Sequence, residues 1–274
     1  MQEYAAVRKP VQDSPFDEAL WVRSETEGHR LSADVYSEMD YPFSVLIDAV
    51  GTPANWCRFI PLNLNVKSCV YDDREEPVRL AIYVGRKYYE EPEDAYRMEY
   101  RYRVEERTPD YLRVALVADE GPLGTRDHGI VAEVARLGQK SLVHVRSRYR
   151  SSWRSRIATS IYLSTLGSDK IGFSVVGTDD AGELEFVKGV NGIVERNAMR
   201  YYFTLEAFLA TLEEPANQRF EQRIQTWFDL TERYARQLHE LKRGEYLEAK
   251  RRERGNQVRL QAAVSGPREA VAEH

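Results

Sequence analysis

Polarity that alternates with a period of two constrains this chain more than any other feature, and it runs from about residue 29 to 150. Tyr96, Met98, Tyr100, Tyr102 and Val104 interleave with Arg97, Glu99, Arg101, Arg103 and Glu105, which is the pattern of a strand with one buried and one solvated face. Segments 29–39, 62–71, 78–89, 111–120, 128–138 and 140–150 carry the same alternation less regularly. Together they predict seven strands. The links DDREEP, EEPED, RTPD, EGPLGT and LGQK are short and rich in turn-forming residues, so consecutive strands are expected to be antiparallel neighbours. Between the first two strands, Phe43, Leu46, Ile47 and Val50 follow helical spacing until Gly51 and Pro53 break it. Two short helices are expected there.

After residue 150 the period changes. Residues 153–167 read as a helix stopped by Gly167, 170–177 as a short strand, and about 190–213 as a long helix ending near Pro215. On that helix Val194, Ala198, Tyr201, Leu205, Phe208 and Leu212 share one face, while Phe203, Ala207 and Ala210 make a second apolar side. Phe220, Ile224, Trp227, Thr231, Tyr234, Leu238 and Leu241 then recur at spacings of four and three. Such a seam serves a dimeric coiled coil or a hairpin with the preceding helix; the small residues Ala207 and Ala210 favour the hairpin. The expected layout is an N-terminal extension over 1–27, a principal domain over 28–214, an accessory helix over 215–243 and a charged, frayed or disordered tail over 244–274.

One strand, two short helices, six more strands and a long helix is an order that resembles the helix-grip fold of the START-like (SRPBCC, Bet v 1-like) superfamily. The fragments NWCRFIPLNLNVKSC, GRKYY, GPLGT, DKIGFSVVG and GVNGIVERNAMRYYF are similar to those of uncharacterised bacterial START-like proteins, a group without an established activity. The resemblance covers about residues 28–213, and the stretch 153–188 interrupts the usual step from last strand to last helix. It implies an α+β class: a curved antiparallel seven-stranded sheet around a long C-terminal helix, with the additional helix packed antiparallel to it. It also implies a cavity between sheet and helix.

A net charge of −5 and a pI of about 5.7 lack the basic excess of a nucleic-acid binder, so no nucleic acid is expected as a partner. No run approaches the roughly 18 apolar residues that span a bilayer, and the N-terminus has no apolar signal core. The chain reads as soluble and cytoplasmic, or periplasmic if an export signal has been removed. Cys57 and Cys69 have neither metal-site spacing nor a disulfide framework. Two buried thiols are the simplest reading, and a single bridge between them, the alternative, would point to an export signal that has been removed.

For chemistry, the chain offers no GxSxG, HExxH, GxxxxGK[ST] or GxGxxG motif; no catalytic residue, metal or cofactor is expected. His128 and His144 fall on neighbouring strands without a third ligand at metal spacing. A curved sheet closed by one helix leaves concave space, so the expected function is to hold a lipid or other hydrophobic small molecule as a carrier or sensor. Candidate ligand-binding residues are Trp56, Arg86, Tyr100, Tyr102, His144, Asn197, Arg200 and Tyr201. Arg86 shares the alternate positions of Leu80, Ile82 and Val84, unless a bulge at Gly85 sends it to solvent. Asn197 borders the helix stripe and Arg200 lies about 120° from its centre; the structural alternatives are a cap or strand-end hydrogen bond for Asn197 and an interhelical ion pair for Arg200, with Glu221 or Glu232 as counter-charges. The competing functions are a polyketide cyclase- or aromatase-like enzyme in the same cavity and a helper protein docking through the heptad helix. A monomer or weak homodimer is expected.

Overall fold

The computed structural model of the 274-residue chain describes residues 2–16, 18–74, 76–165 and 170–266, with side chains described except at 2–6 and 160–165. Among them, eight strands form one antiparallel sheet in the order β1-β2-β8-β7-β6-β5-β4-β3. The strands are β1 (Leu20–Glu27), β2 (Arg30–Met39), β3 (Val66–Asp72), β4 (Arg79–Val84), β5 (Tyr96–Arg107), β6 (Tyr111–Glu120), β7 (Arg126–Leu137) and β8 (Lys140–Arg150). From β2 to β3 this is the helix-grip arrangement, and all seven expected strands are present. Helices α2 (Phe43–Val50) and α3 (Pro53–Phe59) fill the link between β2 and β3. On β5, Met98, Tyr100 and Tyr102 turn inward, and outward charges pair across the sheet, as Arg101 does with both oxygens of Asp119 at 2.8 Å.

The sheet grips α5 (Gly189–Ala210), which packs across β1, β2 and β8. Its opposite side receives α6 (Arg219–Glu232), so the expected antiparallel hairpin forms, with Phe203, Ala207, Ile224 and Trp227 all buried. The Trp227 indole N–H donates to the Arg200 carbonyl at 3.1 Å. The heptad seam does not continue as one helix to residue 241; Tyr234 ends it, and a single turn, α7 (Ala235–Leu238), follows.

Three expectations need correction. Residues 1–27 are no mere extension, because α1 (Gln2–Gln12) and β1 lie within them and β1 adds an eighth strand beside β2. Leu20 and Val22 are buried there, but the polar run Ser24 to Glu27 hides the alternation. Cys57 and Cys69 are joined in a disulfide that ties α3 to β3 rather than standing as two thiols. The segment 153–188 holds α4 (Trp153–Thr165) and a separate hairpin of β9 (Val175–Thr178) and β10 (Leu184–Phe186); the helix stop expected at Gly167 lies outside the described residues. This insertion is pinned to α5 by the buried Glu195 carboxylate, which accepts the Phe173 and Ser174 amides at 2.7 and 2.8 Å and the Ser24 hydroxyl at 2.7 Å. Gly172 permits the approach: a Cβ there would sit 2.6 Å from Glu195 Oε2.

The third correction concerns the expected frayed or disordered tail up to residue 266; the part over 267–274 lies outside the described residues. Residues Arg243–Ser265 form a 23-residue helix, α8, against β3. Its buried face is Tyr246, Lys250, Glu253 and Gln257, spaced four, three and four apart like an apolar seam but made of polar side chains. An edge strand leaves backbone donors and acceptors open, and this face answers them. Lys250 Nζ donates to the carbonyls of Asn63 and Val66, Gln257 to those of Cys57 and Cys69, and Gln261 both donates to and accepts from the backbone of Tyr71 at 3.0 Å. Glu253 bridges the buried ammonium groups of Lys67 and Lys250 at 2.9 and 2.7 Å. Removing one partner of a buried ion pair leaves a charge without compensation, at a cost of about 3–5 kcal/mol. Glu253→Gln is therefore expected to lose about 3 kcal/mol or more of unfolding free energy in urea titrations, whereas a loss below about 1 kcal/mol would mean that α8 does not rely on this bridge.

Candidate functional site

The interior of the grip is closed. Tyr100 and Tyr102 from β5, Trp56 and Phe59 from α3, and Tyr201, Leu205 and Phe208 from α5 occupy the concave side. The Trp56 indole N–H and the Tyr102 hydroxyl both donate to the Val50 carbonyl, at 2.7 and 3.2 Å, and so fix the end of α2. The space left between α5 and the sheet, bordered by Val50, Trp56, Ile130, Ala132, Val145, Tyr201 and Thr204 among others, is about 20 Å³. That admits about one water molecule. Among the described residues the expected ligand-sized cavity does not appear in this interior, because large aromatic side chains fill the depth that the sheet curvature opens.

The candidate residues fall into four separate places. Trp56, Tyr100, Tyr102 and Tyr201 belong to the packed interior, where burial raises the Tyr201 hydroxyl to about 12. Arg86 is exposed beyond the end of β4, 3.5 Å from Glu90 and hydrogen-bonded to the Tyr88 hydroxyl; the chain leaves the strand at Gly85 and carries Arg86 away from the apolar face. Asn197 is exposed on α5. Arg200 is buried and pairs with Glu240 at 2.8 Å, as does Arg196 at 2.6 Å. Glu221 and Glu232, the expected counter-charges, instead bond to Arg251 and His239. Burial alone would raise the Glu240 carboxyl, but Arg200, Lys87 and Lys170 outweigh it and hold it at about 2.

His144 lies on the outer face of the sheet, at the floor of a recess of about 610 Å³. Val7 of α1 overhangs it, Tyr36, Ala135 and Leu142 supply apolar surface, and Thr108, Asp110 and Arg136 stand at the β5–β6 and β7–β8 ends. The floor lies on a row of directly opposed residues on five strands, Trp21, Tyr36, His144, Glu133 and Arg113, of which Tyr36, His144 and Glu133 line the recess. Tyr36 stacks on His144 at 4.0 Å and on Trp21 at 5.4 Å between centroids. Such cross-strand neighbours are the stabilising unit of a sheet face. His144 and His128 do not meet, since His128 stacks on Tyr149 and bonds to Thr125.

Both imidazole nitrogens of His144 are engaged by carboxylates: Nδ1–H donates to Glu133 at 2.5 Å and Nε2–H to Asp34 at 2.7 Å. Glu133 also accepts from Tyr111 and Arg113, and Asp34 from Arg146. Burial would lower the His144 pKa, but the two carboxylates outweigh it and raise it above the ordinary histidine value. Burial likewise opposes the charged forms of Asp34 and Glu133, yet their cationic and hydrogen-bonding partners bring both to about 2. An imidazolium with both N–H groups committed has no nitrogen open to accept a proton, so this row organises a surface without forming a general base. The signal in the sequence was an outward His, Glu and Asp on adjacent strands, which only the strand register could align.

No protein-family profile matches the chain, and no curated protein sequence does. Solved structures do. CalU16 from Micromonospora echinospora is 12% identical over 77% of this chain and 96% of its own, with a TM-score of 0.34. Human StAR-related lipid transfer protein 5 is 8% identical over 60% of this chain and 87% of its own, with a TM-score of 0.38. The major latex-like protein 151 of Panax ginseng is 13% identical over 50% of this chain and 94% of its own, with a TM-score of 0.34. The fold description rests on the strand order and the gripped helix of this chain itself.

The row makes stability depend on pH in a defined direction. The depressed carboxylates contribute fully above their unfolded values near 4 and lose that contribution as pH falls toward 2; the raised histidine contributes fully below its unfolded value of 6.5 and loses it as pH rises through the folded value. Urea midpoints are expected to be highest between about pH 4.5 and 6.5 and to decline toward alkaline pH. His144→Gln should flatten the alkaline decline; an identical decline in the variant would show that His144 does not titrate as described.

Proposed function

We propose that the chain binds a small, largely apolar and uncharged molecule in the outer-face recess beneath α1. One observation carries this reading: a recess of about 610 Å³ falls within the 300–1,000 Å³ of small-molecule sites, whereas the grip interior leaves about 20 Å³. The apolar body would lie against Val7, Tyr36, Ala135 and Leu142, with a hydrogen-bonding end toward Thr108 or the Glu106 carboxylate. The charges of the row neutralise one another through Asp34, His144, Glu133 and Arg113, Asp110 pairs with Arg136, and the exposed Glu106 carboxylate at the rim disfavours an anionic ligand. Carriage or sensing is favoured over a cyclase-like reaction because the acid and base groups of the floor, Glu133 and His144, are committed to each other and to Asp34. The helper reading through the heptad helix loses its basis because Ile224, Trp227 and Leu238 are buried within the chain. The Cys57–Cys69 disulfide favours an oxidising compartment; among the described residues no helix is long and apolar enough to cross a membrane.

The test is a titration with Nile red, a neutral solvatochromic probe. Saturable binding to the folded protein is expected, and Leu142→Trp, which extends a side chain into the recess from the outer face, should weaken it by about tenfold or more without lowering the unfolding midpoint. Absence of saturable binding, or binding indifferent to Leu142→Trp, would overturn the assignment.

A further inference from the structure

Glu240 stands on the link between α7 and α8, and four cationic side chains from distant parts of the chain converge on it. Oε1 accepts from Arg196 Nη2 at 2.6 Å and Arg200 Nη2 at 2.8 Å; Oε2 lies 2.5 Å from Lys87 Nζ and 3.7 Å from Lys170 Nζ. Two carboxylate oxygens therefore serve two guanidinium and two ammonium groups. Arg196 is only 3% exposed, yet its Nε and Nη1 make no hydrogen bond. Buried polar groups are very rarely left so, and a charged donor left unbonded is among the costly exceptions. The cluster is reachable from one side, because the lysine side chains retain exposures of 35% and 26%.

The chemistry of the donors points to a specific class of anion. A guanidinium presents a planar fork of N–H groups that matches phosphate as well as carboxylate, and lysines add compact charge at the edge of such sites. A phosphate offers more oxygens and up to twice the charge of the Glu240 carboxylate, and so suits a cluster with more donors than Glu240 satisfies. Glu240 itself sits between the single turn of α7 and the start of α8 at Arg243, so it can withdraw without breaking a long helix. We propose that Lys87, Lys170, Arg196 and Arg200 form a binding site for a phosphate-bearing group, and that Glu240 is its built-in competitor. The site is separate from the recess of the outer face, so the two readings stand or fall independently.

The experiment uses the full chain at matched ionic strength, since exposed lysines respond to screening. One arm titrates inorganic phosphate against chloride by calorimetry; the other measures sedimentation with phosphatidylcholine vesicles with and without phosphatidic acid, which distinguishes a free anion from a lipid headgroup. Binding in either arm is expected. Lys170→Gln, a partly exposed position, should weaken it by roughly tenfold, the scale of one charge-assisted hydrogen bond, and Glu240→Gln should strengthen it by a similar factor. Equal behaviour of phosphate and chloride together with vesicle binding that ignores phosphatidic acid, or binding that Lys170→Gln leaves unchanged, would overturn the site. Binding that Glu240→Gln fails to strengthen in a folded variant would overturn the competitor role, and should that variant not fold, Lys170→Gln decides the matter alone.

Discussion

Burial of α5 on both of its sides is the constraint from which most of the molecule follows. A helix gripped by a sheet normally turns its polar face to water, but this one has α6 on that face. Glu195, Arg196 and Arg200 are therefore enclosed, and each finds a partner inside the protein, without which a buried charge is costly. Glu195 does so by gathering the Phe173 and Ser174 amides and the Ser24 hydroxyl, which ties the insertion after β8 and the strand β1 to the same helix. Arg196 and Arg200 do so through Glu240, which fixes the path of the chain between α7 and α8.

The same constraint explains the closed interior. With α5 held from behind, its sheet-facing residues press into the concavity, and Tyr201, Leu205 and Phe208 meet Trp56, Phe59 and Val145 with little space between them. The disulfide from α3 to β3 and the polar face of α8 along the β3 edge brace the far side. Ligand-sized space then appears where no element packs densely, on the outer face between α1 and the strand ends.

How much of this was legible in the sequence depended on the kind of signal each element carries. The seven strands from β2 to β8 announce themselves because apolar and charged residues alternate on one-sided strands, and the α5–α6 hairpin does because Phe203, Ala207, Ile224 and Trp227 lie at helical spacing. The packing of α8 escaped because its buried seam of Tyr246, Lys250, Glu253 and Gln257 is mostly polar, and polarity at helical spacing reads as a solvated, frayed helix. Strand β1 escaped because only Leu20 and Val22 show its inward side. The recess was invisible because its floor depends on the register that aligns Tyr36, His144 and Glu133, and its roof on Val7, more than a hundred residues from His144 in sequence. His144 was singled out among the candidates, but with the opposite face of the sheet in view.

The account therefore separates two faces of one sheet: a filled concave side that supplies stability and an outer side that offers room. Methyl-resolved NMR during addition of a neutral apolar ligand separates them most directly. The account predicts saturating shift changes at Val7, Ala135 and Leu142 with little response at Val50, Val145 and Leu205. Changes concentrated at Val50, Val145 and Leu205 would contradict it, because they would place the guest between the sheet and α5.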